Sequence, residues 1–96
     1  MKLYNHPSYK PHPGAEPGVE AIRFTGPEEG KKIVDWIEAI RGYGAALYED
    51  GTLIVPAEEF GRYPVPVPAG WYVYRKGFSD RFHVAPENYF EFRYNA

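Results

Sequence analysis

The residue types that most often carry chemistry are sparse in this chain and are not grouped. Three histidines, His6, His12 and His83, stand at no spacing that metal ligands use. There is no cysteine, which removes thiolate catalysis, a disulfide framework and the Cys-containing zinc sites. Ser8 and Ser79 are the only serines, and neither sits in a Gly-x-Ser-x-Gly elbow or beside a histidine and acid partner. Glu58 and Glu59 are adjacent, so their carboxylates are directed apart rather than together as a general acid and base. The glycines are scattered through turns, and none closes a phosphate loop or a dinucleotide fingerprint. No catalytic residue, metal ligand or cofactor is assigned on this basis.

What remains is recognition chemistry. Tyr72, Tyr74, Arg75, Lys76 and Arg81 set cations beside aromatic rings, a combination that can stack a base and hold a phosphate. The alternative is that these tyrosines are half-buried and the cations only keep a hairpin tip soluble. Phe60, Arg62 and Tyr63 form a second group, of the aromatic and arginine types enriched at protein interfaces. These eight residues are the candidate binding set. His83, between Phe82 and Val84, reads as a half-exposed strand residue pointing away from the core.

Composition bounds the frame that must position them. Ninety-six residues support one hydrophobic core and are too few for two. Aromatic residues make up 18% of the chain, and each can bury roughly 150–250 Å² with few rotors to freeze. A formal net charge of −2 argues against a broad face that neutralises duplex phosphates, although a local basic patch stays open. The segment from Met1 to Pro7 has no apolar run of signal-peptide length, and no window approaches the roughly 20 apolar residues of a membrane span. The expectation is a protein that is neither exported by that route nor embedded in a membrane.

Along the chain, residues 1–18 contain Pro7, Pro11, Pro13, Pro17, Gly14 and Gly18 and read as a Pro-rich tail, with 19–96 as the single domain. Residues 19–24 alternate as a first strand, with Glu20, Ile22 and Phe24 on one face. Thr25 or Gly26 can cap a helix, Pro27 suits its first turn, and Glu28 and Glu29 complement its dipole. Ile33, Trp36, Ile37 and Ile40 form one apolar stripe over a helix of about Pro27 to Arg41, and Gly42 can close it. Asp50-Gly51 between two strand-like runs predicts a two-residue hairpin that sets Glu49 opposite Thr52, Tyr48 opposite Leu53 and Leu47 opposite Ile54. Residues 57–63 read as a loop. Pro64-Val65-Pro66-Val67-Pro68 is either an edge strand blunted on one side or a polyproline II segment.

Trp71 to Arg75 and Arg81 to Val84 make a second hairpin around Gly77. Pro86 to Tyr89 looks like a short helical turn, and Phe90, Phe92 and Tyr94 alternate as a final strand or an aromatic lid. The fold predicted is α+β, one amphipathic helix on a bent, mainly antiparallel sheet of about five strands in the order β-α-ββ-ββ.

Residues 19–26 before a helix, Gly51 to Pro56 after it, and the ending with Gly70-Trp71-Tyr72-Val73, Phe82-His83-Val84, Pro86-Glu87 and Phe90 to Tyr94 resemble a group of small tailed-bacteriophage proteins. These are common in phages of actinobacteria and have no assigned activity. The likeness covers roughly residues 19–94. In that group an acidic residue commonly follows the glycine before the Trp and a cysteine often lies in the final hairpin; this chain has neither. The resemblance implies a phage accessory protein in the cytoplasm of a bacterial host and transfers no catalytic residue. The expected function is non-enzymatic binding of a host or phage protein through the aromatic and arginine surface. The alternative is a nucleotide or single-stranded nucleic-acid binder using the basic hairpin, and a homodimer is left open.

Overall fold

The computed structural model describes residues 2–4, 19–77 and 79–94. In chain order the elements are β1 (Lys2–Tyr4), β2 (Val19–Arg23), α1 (Pro27–Arg41), β3 (Leu47–Glu49), β4 (Thr52–Pro56), a 3₁₀ turn (Glu58–Phe60), β5 (Pro64–Val67), β6 (Tyr72–Lys76), β7 (His83–Ala85) and α2 (Glu87–Arg93). The strands form two antiparallel sheets, one ordered β1-β2-β6-β7 and one ordered β3-β4-β5.

Helix α1 occupies the expected residues. Proline at its first position needs no N–H partner there, and Gly26 precedes it without a side-chain cap. At the other end the Gly42 N–H donates to Glu38 O with φ at +109°, a conformation that favours glycine. Ile33, Trp36 and Ile37 are buried and Ile40 packs against them, each fully buried side chain being worth roughly 1.5–3 kcal/mol. The β3–β4 hairpin has the expected register, Glu49 with Thr52, Tyr48 with Leu53 and Leu47 with Ile54. Asp50 and Gly51 both have positive φ, the backbone of the tight turn whose twist suits antiparallel strands.

The Pro-Val alternation resolves as an edge strand. β5 pairs with β4 through Val65 opposite Val55 and Val67 opposite Leu53. Proline has no N–H, so Pro64 and Pro66 leave no donor on the outer side, which protects that edge from pairing with another chain.

Three expectations are corrected. The single sheet of about five strands is two sheets of four and three strands. The run Phe90 to Tyr94 is helix over most of its length, because Phe90 and Tyr94, four residues apart, both bury against the sheet. An alternating strand pattern and an i, i+4 helical pair coincide at these positions, and the burial face decides for the helix. Residues 57–63 hold a 3₁₀ turn rather than a plain loop. Within the segment read as a tail, Lys2–Tyr4 pair with β2; residues 5–18 lie outside the described residues.

The four-stranded sheet is covered on both faces. On one side Ile22, Val73 and Val84 join a core with Phe24, the α1 stripe, Leu53, Val55, Val67 and Phe82. On the other, Val19, Ala21, Tyr72, Tyr74 and Ala85 pack with Phe90 of α2 and Tyr94 directly after it. The first strand accordingly buries both of its faces rather than the Ile22 and Phe24 side alone.

A close approach ties α1 to the hairpin. A Cβ added to Gly30 would stand 2.6 Å from Tyr48 Cδ1, well inside contact distance. Gly30→Ala is expected to cost about 1–3 kcal/mol by overpacking, against a helix-propensity gain of about 1 kcal/mol. Denaturant unfolding of the single variant and of its combination with Tyr48→Ala checks this, since the second change should relieve the clash. Trp36→Ala, which removes the edge-on contact with Phe82 at 5.0 Å, is expected to cost roughly 3–5 kcal/mol in the same measurement.

Candidate functional site

The eight predicted binding residues divide into three environments. Tyr72 and Tyr74 are each 5% exposed. Tyr72 stacks on Phe90 at 4.1 Å and donates its hydroxyl to Glu91, while Tyr74 lies against His83, Phe90 and Tyr94. Neither ring presents a face on which a base can stack. Arg75 is also committed: Nε and Nη2 reach Glu20 Oε1 at 2.8 and 2.7 Å, Nη1 donates to Ser79 O, and the guanidinium lies 6.0 Å from the Trp36 ring centroid. Of the hairpin group, Lys76 and Arg81 are exposed.

Phe60, Arg62 and Tyr63 are brought together on the segment between β4 and β5. Phe60 is 54% and Tyr63 74% exposed. Their backbone is nevertheless pinned. Phe60 and Arg62 N–H donate to Ala57 O, Gly61 N–H to Glu58 O and Tyr63 N–H to Phe60 O. Gly61 and Arg62 both have positive φ, +67° and +70°, and a left-handed arginine costs roughly 1–2 kcal/mol. The turn is closed by Arg62 Nε donating to Glu58 Oε2 at 2.6 Å. Two large exposed rings are thus held in a defined presentation.

This turn also caps the edge of the larger sheet. Glu58 N–H donates to Phe82 O, and Glu59 Oε1 accepts from Val84 N–H. The other oxygen of Glu59 lies 2.8 Å from His83 Nδ1. The turn that carries Phe60, Arg62 and Tyr63 is therefore joined to residues 82–84, with the side chains of Glu58 and Glu59 each satisfied internally. His83, expected to point away from the core, instead lies half-buried over Tyr74.

The Glu59–His83 pair had no signal in the sequence, because its members are 24 residues apart and meet only through the edge contact. Ser79 Oγ accepts from the Arg81 N–H. Among the described residues no group of three histidine, cysteine or carboxylate side chains is placed to hold a metal ion. Tyr43, 99% exposed between two glycines of positive φ, is a further aromatic that sequence reading passed over. A ring flanked by glycines was the available clue. Among the described residues no helix is long and apolar enough to cross a membrane.

Compared with family models, curated proteins and solved structures, the chain matches none.

Burial pushes the Tyr74 phenol well above its ordinary range, with the neighbouring Tyr94 and Glu59 adding to the shift. Tyr94 is raised by burial against the opposing pull of Arg93. A folded-state pKa above the unfolded one means that the unfolded chain loses its proton first. The stabilisation is therefore complete below the ordinary value of 10.0 and is lost as pH climbs toward the folded-state value. Thermal melts at rising alkaline pH should show a steep loss of stability in wild type. Tyr74→Phe should make that loss shallower.

Proposed function

We propose that this chain is a non-enzymatic phage accessory protein that binds a host or defence protein through the platform of Phe60, Arg62 and Tyr63. The observation that carries the reading is two exposed aromatic rings on a turn in which the N–H groups of Phe60, Gly61, Arg62 and Tyr63 are all hydrogen-bonded and an arginine is held at positive φ. Strain of this kind persists where surrounding contacts over-determine it, and it concentrates at functional segments. Rigid aromatics and arginine supply most interface hot spots because they bury much area while losing little entropy. The phage setting rests on the resemblance of residues 19–94 alone.

Burial of Tyr72 and Tyr74 and the pairing of Arg75 with Glu20 favour this reading over a nucleotide or single-stranded nucleic-acid site at the second hairpin. That leaves Lys76 and Arg81 as exposed cations without a tyrosine face of this hairpin beside them, among the described residues. Two point charges on exposed stems make a weak and strongly salt-dependent site.

The test is differential capture from host lysate. The partner retained by wild type should be lost by Phe60→Ala combined with Tyr63→Ala, with affinity weakened by about 2 kcal/mol or more and the melting temperature little changed. Charge reversal of Lys31, Lys32, Asp35 and Glu38 on the exposed side of α1 should leave capture intact, since exposed pairs contribute about 0–1 kcal/mol. Capture that depends on the helix charges and ignores both aromatic changes would place the surface on the wrong side.

A further inference from the structure

Tyr43 is 99% exposed, yet its backbone is fixed on both sides. Gly42 and Gly44 hold positive φ, +109° and +88°, and Glu38 ties both of them down. Its carbonyl accepts from the Gly42 N–H and its Oε2 from the Gly44 N–H at 2.7 Å. A large ring is thus carried at the C-terminal end of α1 with almost none of its surface covered by its own chain. Burial of such a ring against another surface removes roughly 150–250 Å² from water.

At the other end of α1, where the β3–β4 hairpin turns and β5 ends, an open groove of about 530 Å³ is lined mainly by Phe24, Pro27, Tyr48, Pro66, Pro68 and Ala69. None of its lining residues is charged, and Thr25 and Thr52 add hydroxyls. Such a lining suits a neutral ring with one polar tip, which is what a tyrosine side chain offers.

The side of α1 between these two ends is self-complementary. Pro27, Lys31, Val34 and Glu38 follow one another at spacings of four, three and four, so they lie along one strip. Lys31 is exposed and, among the described residues, forms no ion pair. Glu38 engages Gly44 through Oε2, which leaves Oε1 for a cation. When two copies of the helix run antiparallel with Val34 near the axis, each Lys31 stands opposite the partner's Glu38. Each Pro27 then stands opposite the partner's residues 42 and 43. A parallel arrangement would set Lys31 against Lys31 and Glu38 against Glu38. The 15 residues of α1 span about 22 Å, and a two-fold axis carries one end of that span onto the other. Both tyrosines therefore reach both grooves at once.

We propose that two copies of this chain pair about a two-fold axis along antiparallel α1 helices, with Tyr43 of each copy seated in the other's groove at the start of α1. The ring supplies the affinity, since exposed ion pairs contribute little, and the contacts of Lys31 with Glu38 set the orientation. The proposal is independent of the Phe60 and Tyr63 platform.

Sedimentation of the full chain from micromolar to millimolar concentration should show a monomer–dimer equilibrium. Tyr43→Ser should weaken the dimer about tenfold or more without lowering the melting temperature of the dilute protein, because Tyr43 covers nothing in the monomer. Tyr43→Phe should keep most of the association. Ala69→Trp, at an exposed groove position, should fill the groove and weaken the dimer as much as Tyr43→Ser. A mixture of these two variants tests the exchange itself. One copy still offers an open groove and the other still offers Tyr43, so the mixed dimer should be stronger than either variant alone. Lys31→Glu should weaken association about threefold or more by setting a like charge against the partner's Glu38. Phe60→Ala with Tyr63→Ala should leave association unchanged. A monomer at every concentration would overturn the proposal. So would a dimer indifferent to Tyr43→Ser, to Ala69→Trp or to Lys31→Glu, a mixture no stronger than its components, or a dimer lost in the platform variant.

Discussion

Strand β6 is buried on both faces, and the rest of the structure follows from covering it. Tyr72, Val73 and Tyr74 are consecutive and all lie at or below 5% exposure. In a pleated strand their side chains alternate, so two separate apolar surfaces must be supplied. α1 and the smaller sheet supply the first through Ile33, Trp36 and Leu53, joined by Phe82 from the segment before β7. α2, only seven residues long, supplies the second through Phe90, with Tyr94 directly after it. A helix of two turns has no independent stability in water, and it persists because its aromatic residues close that second face.

Polar contacts fasten the margins of the two layers. Glu20 and Arg75 are register partners on β2 and β6 and form a largely enclosed ion pair next to Trp36. Its removal from one side would strand the other charge, which is the costly way to break such a pair. Arg23 binds Gly70 O and Glu87 together, joining the end of β2, the turn before β6 and the start of α2. Arg23 and Arg75 are thus tied into the fold, and Arg75 with the buried Tyr72 and Tyr74 is withdrawn from the basic aromatic cluster that the sequence offered.

One edge of each sheet is closed to further pairing by local means. Prolines deprive β5 of outward donors, and the 3₁₀ turn uses Glu58 N–H and Glu59 Oε1 to satisfy the outward groups of Phe82 and Val84. A segment that seals a sheet edge must be rigid, and the same rigidity fixes Phe60 and Tyr63 in the open.

The sequence by itself determined what depends on neighbours along the chain. The bounds of α1, the register of the Asp50-Gly51 hairpin and the blunted β5 edge all follow from periodicity, backbone geometry and the missing proline N–H, which are local. It also picked out Phe60, Arg62 and Tyr63, because aromatics in a stretch without periodicity have no core face to occupy. Tertiary structure alone decided the rest. Whether Tyr72 and Tyr74 face solvent depends on a helix that begins eleven residues beyond β6, and that helix shares its pattern of aromatics with a strand. The partition into two sheets depends on β2 pairing with β6 across about fifty intervening residues. The Glu59–His83 contact and the apolar groove at the start of α1 arise from the same long-range closures. Such pairings are selected by which arrangement buries both faces of β6, a condition that no local window contains.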